Sequence, residues 1–378
     1  MEFIVIYSIV IFVVLILSLY LFLFYERLRE NRTKKLLTKK EIEVSSFLDD
    51  IISNIDENEI SEGDMILLKS LLENELTAKI LTQKFIHYIE SFRGTFLDKI
   101  IKLSEEIGLV DYQMDKLNTK NEKGKILAIK NLGELRSKKA LEAILKMFSS
   151  SNAEQIYASL KAISIIGDEE YFIRAFESID DSISLSERSL IEIADNFRGD
   201  KAKVFLQLIN SKNDYISTIF IKAAGNLKDT RLLDEIHKFI DDNNNEKRIA
   251  AVRAFGNIGD NRYIEDIIKH LKSDSWELRA TTAKVLGQLN DKTALKPLIE
   301  ALKDSNYYVR RNAANSIVSL EGGLEEAKQV ISSDDRYAAD ILIEAIEKNY
   351  SWLDLIEYDK KNGEPKITDL ISKHVEQE

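Results

Sequence analysis

RIAAVRAFGNIGDNRYIEDII at residues 248–268 is matched 31 positions later by RATTAKVLGQLNDKTALKPLI at residues 279–299. The pattern extends outward to STIFIKAAGNLKDTRLLDEIH at 217–237, RRNAANSIVSLEGGLEEAKQV at 310–330 and KILAIKNLGELRSKKALEAIL at 125–145. Anchored on one position per copy, the units fall at Gly133, Ser164, Asn196, Gly225, Gly256, Gly287 and Val318, spaced 31, 32, 29, 31, 31 and 31 residues apart. A period of this length marks a solenoid, in which units stack because none can bury its apolar face alone.

Each unit reads as two amphipathic helices. In the unit of Gly256 the first carries Ile249, Val252 and Phe255 on one stripe and is expected to stop at the glycine, while the second buries Ile264, Ile267 and Ile268. Four residues after most anchors stands an acid: Asp168, Asp200, Asp229, Asp260 and Asp291. An Asp at a helix start accepts from free backbone N–H groups, so these five are expected to cap turns rather than hold cations. Eight residues before three anchors stand Arg248, Arg279 and Arg310. They read either as a bracing ladder reaching the neighbouring unit's Asp or as a partner-binding stripe. The unit of Asn196 is expected to be distorted, because Asp195 and Arg198 stand where apolar residues belong.

The run GNIGDNRYIEDIIKHLKSDSWELRATTAKVLGQLNDKTALKPLIEALKDSNYYVRRNAA, from Gly256 to Ala314, resembles HEAT-like repeats of the type shared with phycobilisome lyases. The resemblance covers residues 123–349, about seven units, and implies an α-solenoid more firmly than any one activity.

At the other end of the chain, Phe3 to Tyr25 are 23 consecutive uncharged residues, FIVIYSIVIFVVLILSLYLFLFY. A helix of that length rises about 34 Å, enough for a hydrocarbon core of ~30 Å, so residues 1–25 are expected to form a single transmembrane helix. No basic leader, short apolar core or small-residue cleavage site suggests a signal peptide. Arg27, Arg29, Arg32, Lys34, Lys35, Lys39 and Lys40 follow it in residues 26–40, whereas only Glu2 precedes it. The positive-inside rule then places the carboxyl-terminal part in the cytoplasm of a single-pass protein of the cell membrane.

Between this basic juxtamembrane segment and the repeats, residues 41–122 show helical stripes off the period of 31: Phe47, Ile51, Ile55; Ile66, Leu67, Leu71, Leu72; Ile80, Leu81, Phe85, Ile89; and Phe96 to Leu103. They predict a helical amino-terminal module capping the first repeat. Residues 350–378 leave the repeat and are expected to cap its end and then fray. The whole layout resembles membrane-anchored bacterial HEAT-repeat proteins, a group often encoded beside family-two glycosyltransferases. That resemblance implies a role near cell-surface polysaccharide synthesis, with a membrane glycosyltransferase as partner.

Composition narrows the chemistry. Two prolines and 14 glycines in 378 residues are too few for a fold of many tight turns, so the chain is expected to be all-α. With no cysteine it can hold no disulfide, thiolate zinc site or cysteine nucleophile. A formal charge of −11 argues against nucleic acid as partner, since duplex affinity comes from Lys and Arg. His87, His237, His270 and His374 stand in no metal-binding pair, so no metal or cofactor is expected, and His237 reads as a satisfied, partly buried side chain.

Trp276 and Tyr307 share a register, with Tyr308 beside the latter, and these rings are either interface anchors or plugs between units. Trp276 is expected as plug and Tyr308 as exposed. The reading as a whole is a membrane-anchored protein-interaction scaffold without catalysis, with Trp276, Tyr307, Tyr308, Arg248, Arg279 and Arg310 as candidate partner-binding residues. Its rival is a lyase or isomerase acting on a large ligand such as a bilin.

Overall fold

A computed structural model describes residues 2–55, 60–149, 152–179 and 185–375, without the side chains of residues 2–11, 30–34, 36, 37, 149 and 375. The described residues form helices and turns, with no strand among them. The chain divides into two compact units, Met1–Ile166 and Gly167–Glu378.

The first unit holds α1 (Glu2–Ser53), α2 (Glu62–Ser70), α3 (Glu75–Ser91), α4 (Gly94–Glu106), α5 (Leu109–Asp115), α6 (Glu122–Glu134), α7 (Leu141–Leu145) and α8 (Ala153–Ile166). Helix α1 runs 52 residues because it contains neither glycine nor proline, and it passes without a break through residues 25 and 40. Among the described residues no helix is long and apolar enough to cross a membrane. Of the expected span, the side chains up to Ile11 lie outside the described residues, as do those of Arg32 and Lys34 in the basic segment. Phe12–Tyr25 remain, all exposed. Arg27, Arg29, Lys35, Lys39 and Lys40 are exposed along the next turns.

Helix α1 packs on α3; α1 buries Val44, Leu48, Ile51 and Ile52, and α3 buries Leu81, Phe85 and Ile89. Of the expected stripe Ile66, Leu67, Leu71 and Leu72, the first two are exposed and the last two half-buried. Helix α2, nine residues long and capped by Ser61, has room to bury one position, and Leu68 fills it.

The second unit holds α9 (Glu169–Glu177), α10 (Glu187–Asp195), α11 (Lys201–Leu208), α12 (Asp214–Leu227), α13 (Leu233–His237), α14 (Asn245–Ile258), α15 (Ile264–Lys269), α16 (Trp276–Leu289), α17 (Leu295–Ala301), α18 (Tyr307–Ser319), α19 (Gly323–Ile331), α20 (Arg336–Asn349), α21 (Trp352–Asn362) and α22 (Ile367–Val375). The long helices α12, α14, α16, α18 and α20 each pack on the next, and shorter helices alternate with them along the chain.

The glycines at the anchors do not end these helices. Helices α12, α14 and α16 run two residues past Gly225, Gly256 and Gly287. A Cβ on Gly225 would lie 2.8 Å from the Cα of Ala254, and one on Gly287 would lie 2.7 Å from the Cβ of Ser316. The glycine is there because neighbouring backbones cross at that point. In the first unit Gly133 meets Ala162 in the same way, at 2.7 Å from its Cα.

The stop comes three residues after the anchor, at a left-handed residue. Arg136 (φ 53°), Gly167 (79°), Lys228 (56°), Gly259 (78°) and Asn290 (52°) fill that position in five copies, although only two are glycine. The residue after each caps the following turn or helix. Asp168, Asp229 and Asp291 accept from the backbone N–H of Tyr171, Arg231 and Thr293. Asp260 accepts from Arg262 at 2.8 Å, and Asp200, at the same place in the Asn196 unit, accepts from Lys203.

In that Asn196 unit α10 has nine residues against fourteen in α12, α14 and α16. Its core is aromatic: Phe172 lies 4.1 Å from Phe197, ring centre to ring centre, and Phe220 makes edge contacts with Phe176 and Phe205 at 4.8 and 5.2 Å. At the end of the unit, within the segment expected to cap the repeats, α22 packs on α19 and α21. Buried Ile367 and Ile371 hold it, and the Asp359 carboxylate accepts from the Ile367 N–H and the Thr368 hydroxyl at 2.8 and 2.7 Å. Residues 376–378 lie outside the described residues.

Candidate partner-binding face

Ser275 and Asn306 cap α16 and α18, accepting from the N–H groups of Leu278 and Tyr308. Trp276 and Tyr307 are therefore the first residues of their helices, in front of the packed helix row rather than inside it. Trp276 is 40% exposed, Tyr307 45% and Tyr308 56%. The indole, expected as a plug, is thus only partly covered. It stacks on Tyr308, with ring centres 5.7 Å apart and planes 26° from parallel, and Tyr307 meets Tyr308 at 67°.

Beside the rings lies an open groove of about 390 Å³ whose floor is formed by successive long helices. Arg253 and Asn257 come from α14, Lys284 and Gln288 from α16, and Asn312, fixed by its bond to the Ala280 carbonyl at 2.8 Å, from α18. Arg253 and Lys284 are exposed and have no ion-pair partner among the described residues. One unit earlier the equivalent Lys222 is held by Glu187 at 2.8 Å. Lys222, Arg253 and Lys284 each stand three residues before an anchor, so the column is present in the repeat alignment, although sequence reasoning passed over it.

The three arginines of the ladder differ. Arg279 grips both carboxylate oxygens of Asp304 in the next unit, at 2.6 and 3.0 Å, and donates to the Ser273 carbonyl at 2.8 Å. Arg310 repeats only the carbonyl contacts, to Asp304 and Ser305 at 2.7 and 3.1 Å. Arg248 bonds Asn245 at 3.1 Å and leaves its Nε buried without a partner. The reason is local, since Ser273 stands 25 residues after Arg248, at the place Asp304 takes for Arg279. Burial works to raise the Asp304 carboxyl, but Arg279, the Asn306 N–H and Arg310 together hold it below the usual carboxylate range. The bond to Asp304 raises the Arg279 guanidinium in turn. Two of the arginines thus tie the loop before their own helix, and Arg279 also ties the next.

His237 is partly buried, bonded to Asp266 at 3.0 Å and stacked on Tyr263 at 3.9 Å between ring centres. Among the described residues no group of three or more His, Asp and Glu is placed to hold a metal ion.

Residues 202–276 and 264–352 match the family model of HEAT repeats. No curated protein sequence matches the chain. Among solved structures it is similar to Kap121p, at 12% identity over 88% of this chain and 43% of that one, with a TM-score of 0.48. It is also similar to Kap95p, solved in work on its binding to RanGDP, at 13% identity, 83% and 52% coverage and a TM-score of 0.43. A third likeness is to the CpcE–CpcF complex of phycocyanin lyase from Nostoc sp. PCC7120, at 13% identity, 70% and 94% coverage and a TM-score of 0.28. The chain spans less than half the length of Kap121p. The aromatic edge and its groove fall inside the two matched stretches, so the face described above is carried by HEAT repeats.

Proposed function

We propose that this protein is a membrane-anchored interaction scaffold. Its HEAT repeats bind another protein, and the helix of residues 3–25 holds the pair at the membrane with the repeats on the cytoplasmic side. The observation that carries the reading is the group of exposed rings at Trp276, Tyr307 and Tyr308, because aromatic side chains left open beside a polar groove are the usual anchors of a protein interface. The exposed apolar run Phe12–Tyr25, followed by exposed basic residues, supports the tether. A membrane glycosyltransferase is the partner class that the family resemblance implies, and catalysis forms no part of the proposal.

Crosslinking in native membranes followed by mass spectrometry tests it. Repeated recovery of one membrane protein is expected, and recovery of none would end the scaffold reading. A reporter active only in the cytoplasm, fused after Glu378, should be active; activity only from an exported reporter would reverse the orientation.

A further inference from the structure

The groove beside the aromatic edge is more specific than a general contact surface. We infer that it takes an extended acidic segment of a partner protein, with an apolar residue on the Trp276–Tyr308 platform and carboxylates at Arg253 and Lys284. The inference rests on the partner-binding reading above and adds the chemistry of the partner.

Charge supplies the first argument. In a chain of net charge −11, Arg253 and Lys284 stand exposed in one groove with no carboxylate bound to them, while neighbouring Lys222 and Lys247 are held by Glu187 and Asp214 at 2.8 and 2.6 Å. Exposed cations without partners are what an incoming carboxylate finds, and their attraction also steers the encounter. Geometry supplies the second. One turn beyond each cation stands an amide, Asn257 on α14 and Gln288 on α16, on the same face of its helix. An amide can donate to a peptide C=O and accept from a peptide N–H, so cation and amide together read both side chain and main chain of an extended segment. Packed helices lie about 8–10 Å apart, and a segment extended in the polyproline II form covers that in roughly three residues at ~3.1 Å each and returns its side chains to the same face every third residue, so acids three apart fit two successive helices.

Glu277 orders the segment. It lies in the groove next to Trp276, with its carboxylate bonded to the Ser275 hydroxyl at 2.8 Å. It repels an acid at the platform end and leaves that end to an apolar side chain. The same carboxylate and the presence of only two cations, Arg253 and Lys284, in the lining of the groove disfavour a nucleic-acid strand, whose affinity grows with the number of phosphates neutralised.

The test uses the full chain in detergent micelles and two fluorescein-labelled peptides, Phe-Ala-Ala-Glu-Ala-Ala-Glu and the same peptide with lysine in place of glutamate. Fluorescence anisotropy should show binding of the acidic peptide, weakened by salt, and none of the lysine peptide. The double variant Arg253→Glu, Lys284→Glu should weaken it by about tenfold or more, since both charge pairs become repulsive. Trp276→Ala should weaken it separately, and the melting temperature of the double variant should stay at the parent value. Absence of binding by the acidic peptide, equal binding by the lysine peptide, an unchanged double variant, or tighter binding of an oligothymidine that the double variant loses would each overturn the assignment. Native-membrane crosslinking keeps the two claims apart. If parent and double variant capture the same partner equally, the groove assignment fails and the scaffold reading stands. If neither captures one, the scaffold reading fails and the peptide titration still decides the groove.

Discussion

Residues 169–220 and residues 245–319 solve the same packing problem in opposite ways. In the later stretch the long helices pack closely at glycines, Gly256 against the side chains of Val285 and Gln288 and Gly287 against Ser316, its backbone included, and through the buried alanines Ala250, Ala254, Ala283 and Ala313. In the earlier one no glycine stands at the anchor, α10 is short, and Phe172, Phe176, Phe197, Phe205 and Phe220 fill the space between elements. A close crossing tolerates no added atom, whereas an aromatic core tolerates no lost one. The repeat period is therefore compatible with two kinds of core, and they are vulnerable to opposite substitutions.

The largest effect should come from the aromatic core. Phe220 is fully buried and faces Phe172, Phe176 and Phe205. Phe220→Ala should cost about 3–5 kcal/mol and lower the melting temperature sharply. A loss under about 1 kcal/mol would show that the neighbouring rings collapse into the gap, and the contrast drawn above would lose its basis.

Next comes a sign reversal at the close crossing. In an ordinary helix interior Gly→Ala stabilises by roughly 0.5–1 kcal/mol. At Gly287 the added methyl would sit 2.7 Å from the Ser316 Cβ and 3.0 Å from its Cα, so Gly287→Ala should destabilise by about 1–3 kcal/mol. Thermal melts of the variant beside the parent decide it, and a raised melting temperature would mean that the helices do not touch there.

This contrast also marks what the sequence shows and what it hides. The period and the Asp caps are legible because each has one cheap chemical solution: an apolar stripe repeats, and an Asp satisfies a helix start. The left-handed stop is hidden, since Arg136, Lys228 and Asn290 hold the conformation that glycine takes at Gly167 and Gly259. A contact that the fold imposes from outside leaves no residue signature. The glycine anchors are visible but invite the wrong cause, because a helix end and a helix crossing both select for the missing side chain. At the site, the rings are legible by register, but the exposure of Trp276 is not, since burial depends on what the next unit places opposite.

A smaller effect belongs to the ladder. Arg279 and Asp304 form a bidentate, largely buried pair, whereas Arg310 donates to carbonyls of the loop before its own helix, so Arg279→Met should cost about 1–2 kcal/mol and Arg310→Met less. The Asp304 carboxyl is held below its ordinary value, so the pair's stabilisation is complete above the unfolded carboxylate range, near pH 4, and is lost as pH falls through the lower folded value. The gap in melting temperature between parent and Arg279→Met should thus be steady at neutral pH and close on acidification. A gap that stayed constant to low pH would assign the cost to the arginine's packed stem instead.

The smallest effect is expected at Trp276, and it tests the site from the stability side. Were the indole a plug between units, Trp276→Ala would behave as a core truncation costing about 3–5 kcal/mol. With 40% of the residue exposed and its main partner, Tyr308, itself more than half exposed, the substitution removes one stacked ring pair and part of an already wet surface. About 0.5–1.5 kcal/mol is the scale of such a pair. The comparison that matters is with Phe220→Ala in the same unit, because both delete one aromatic ring from the repeats. A large ratio of the two melting-temperature shifts means that Trp276 is spared from holding the units together and is available to a partner. A ratio near one would return the indole to the core and remove the aromatic edge as a docking surface.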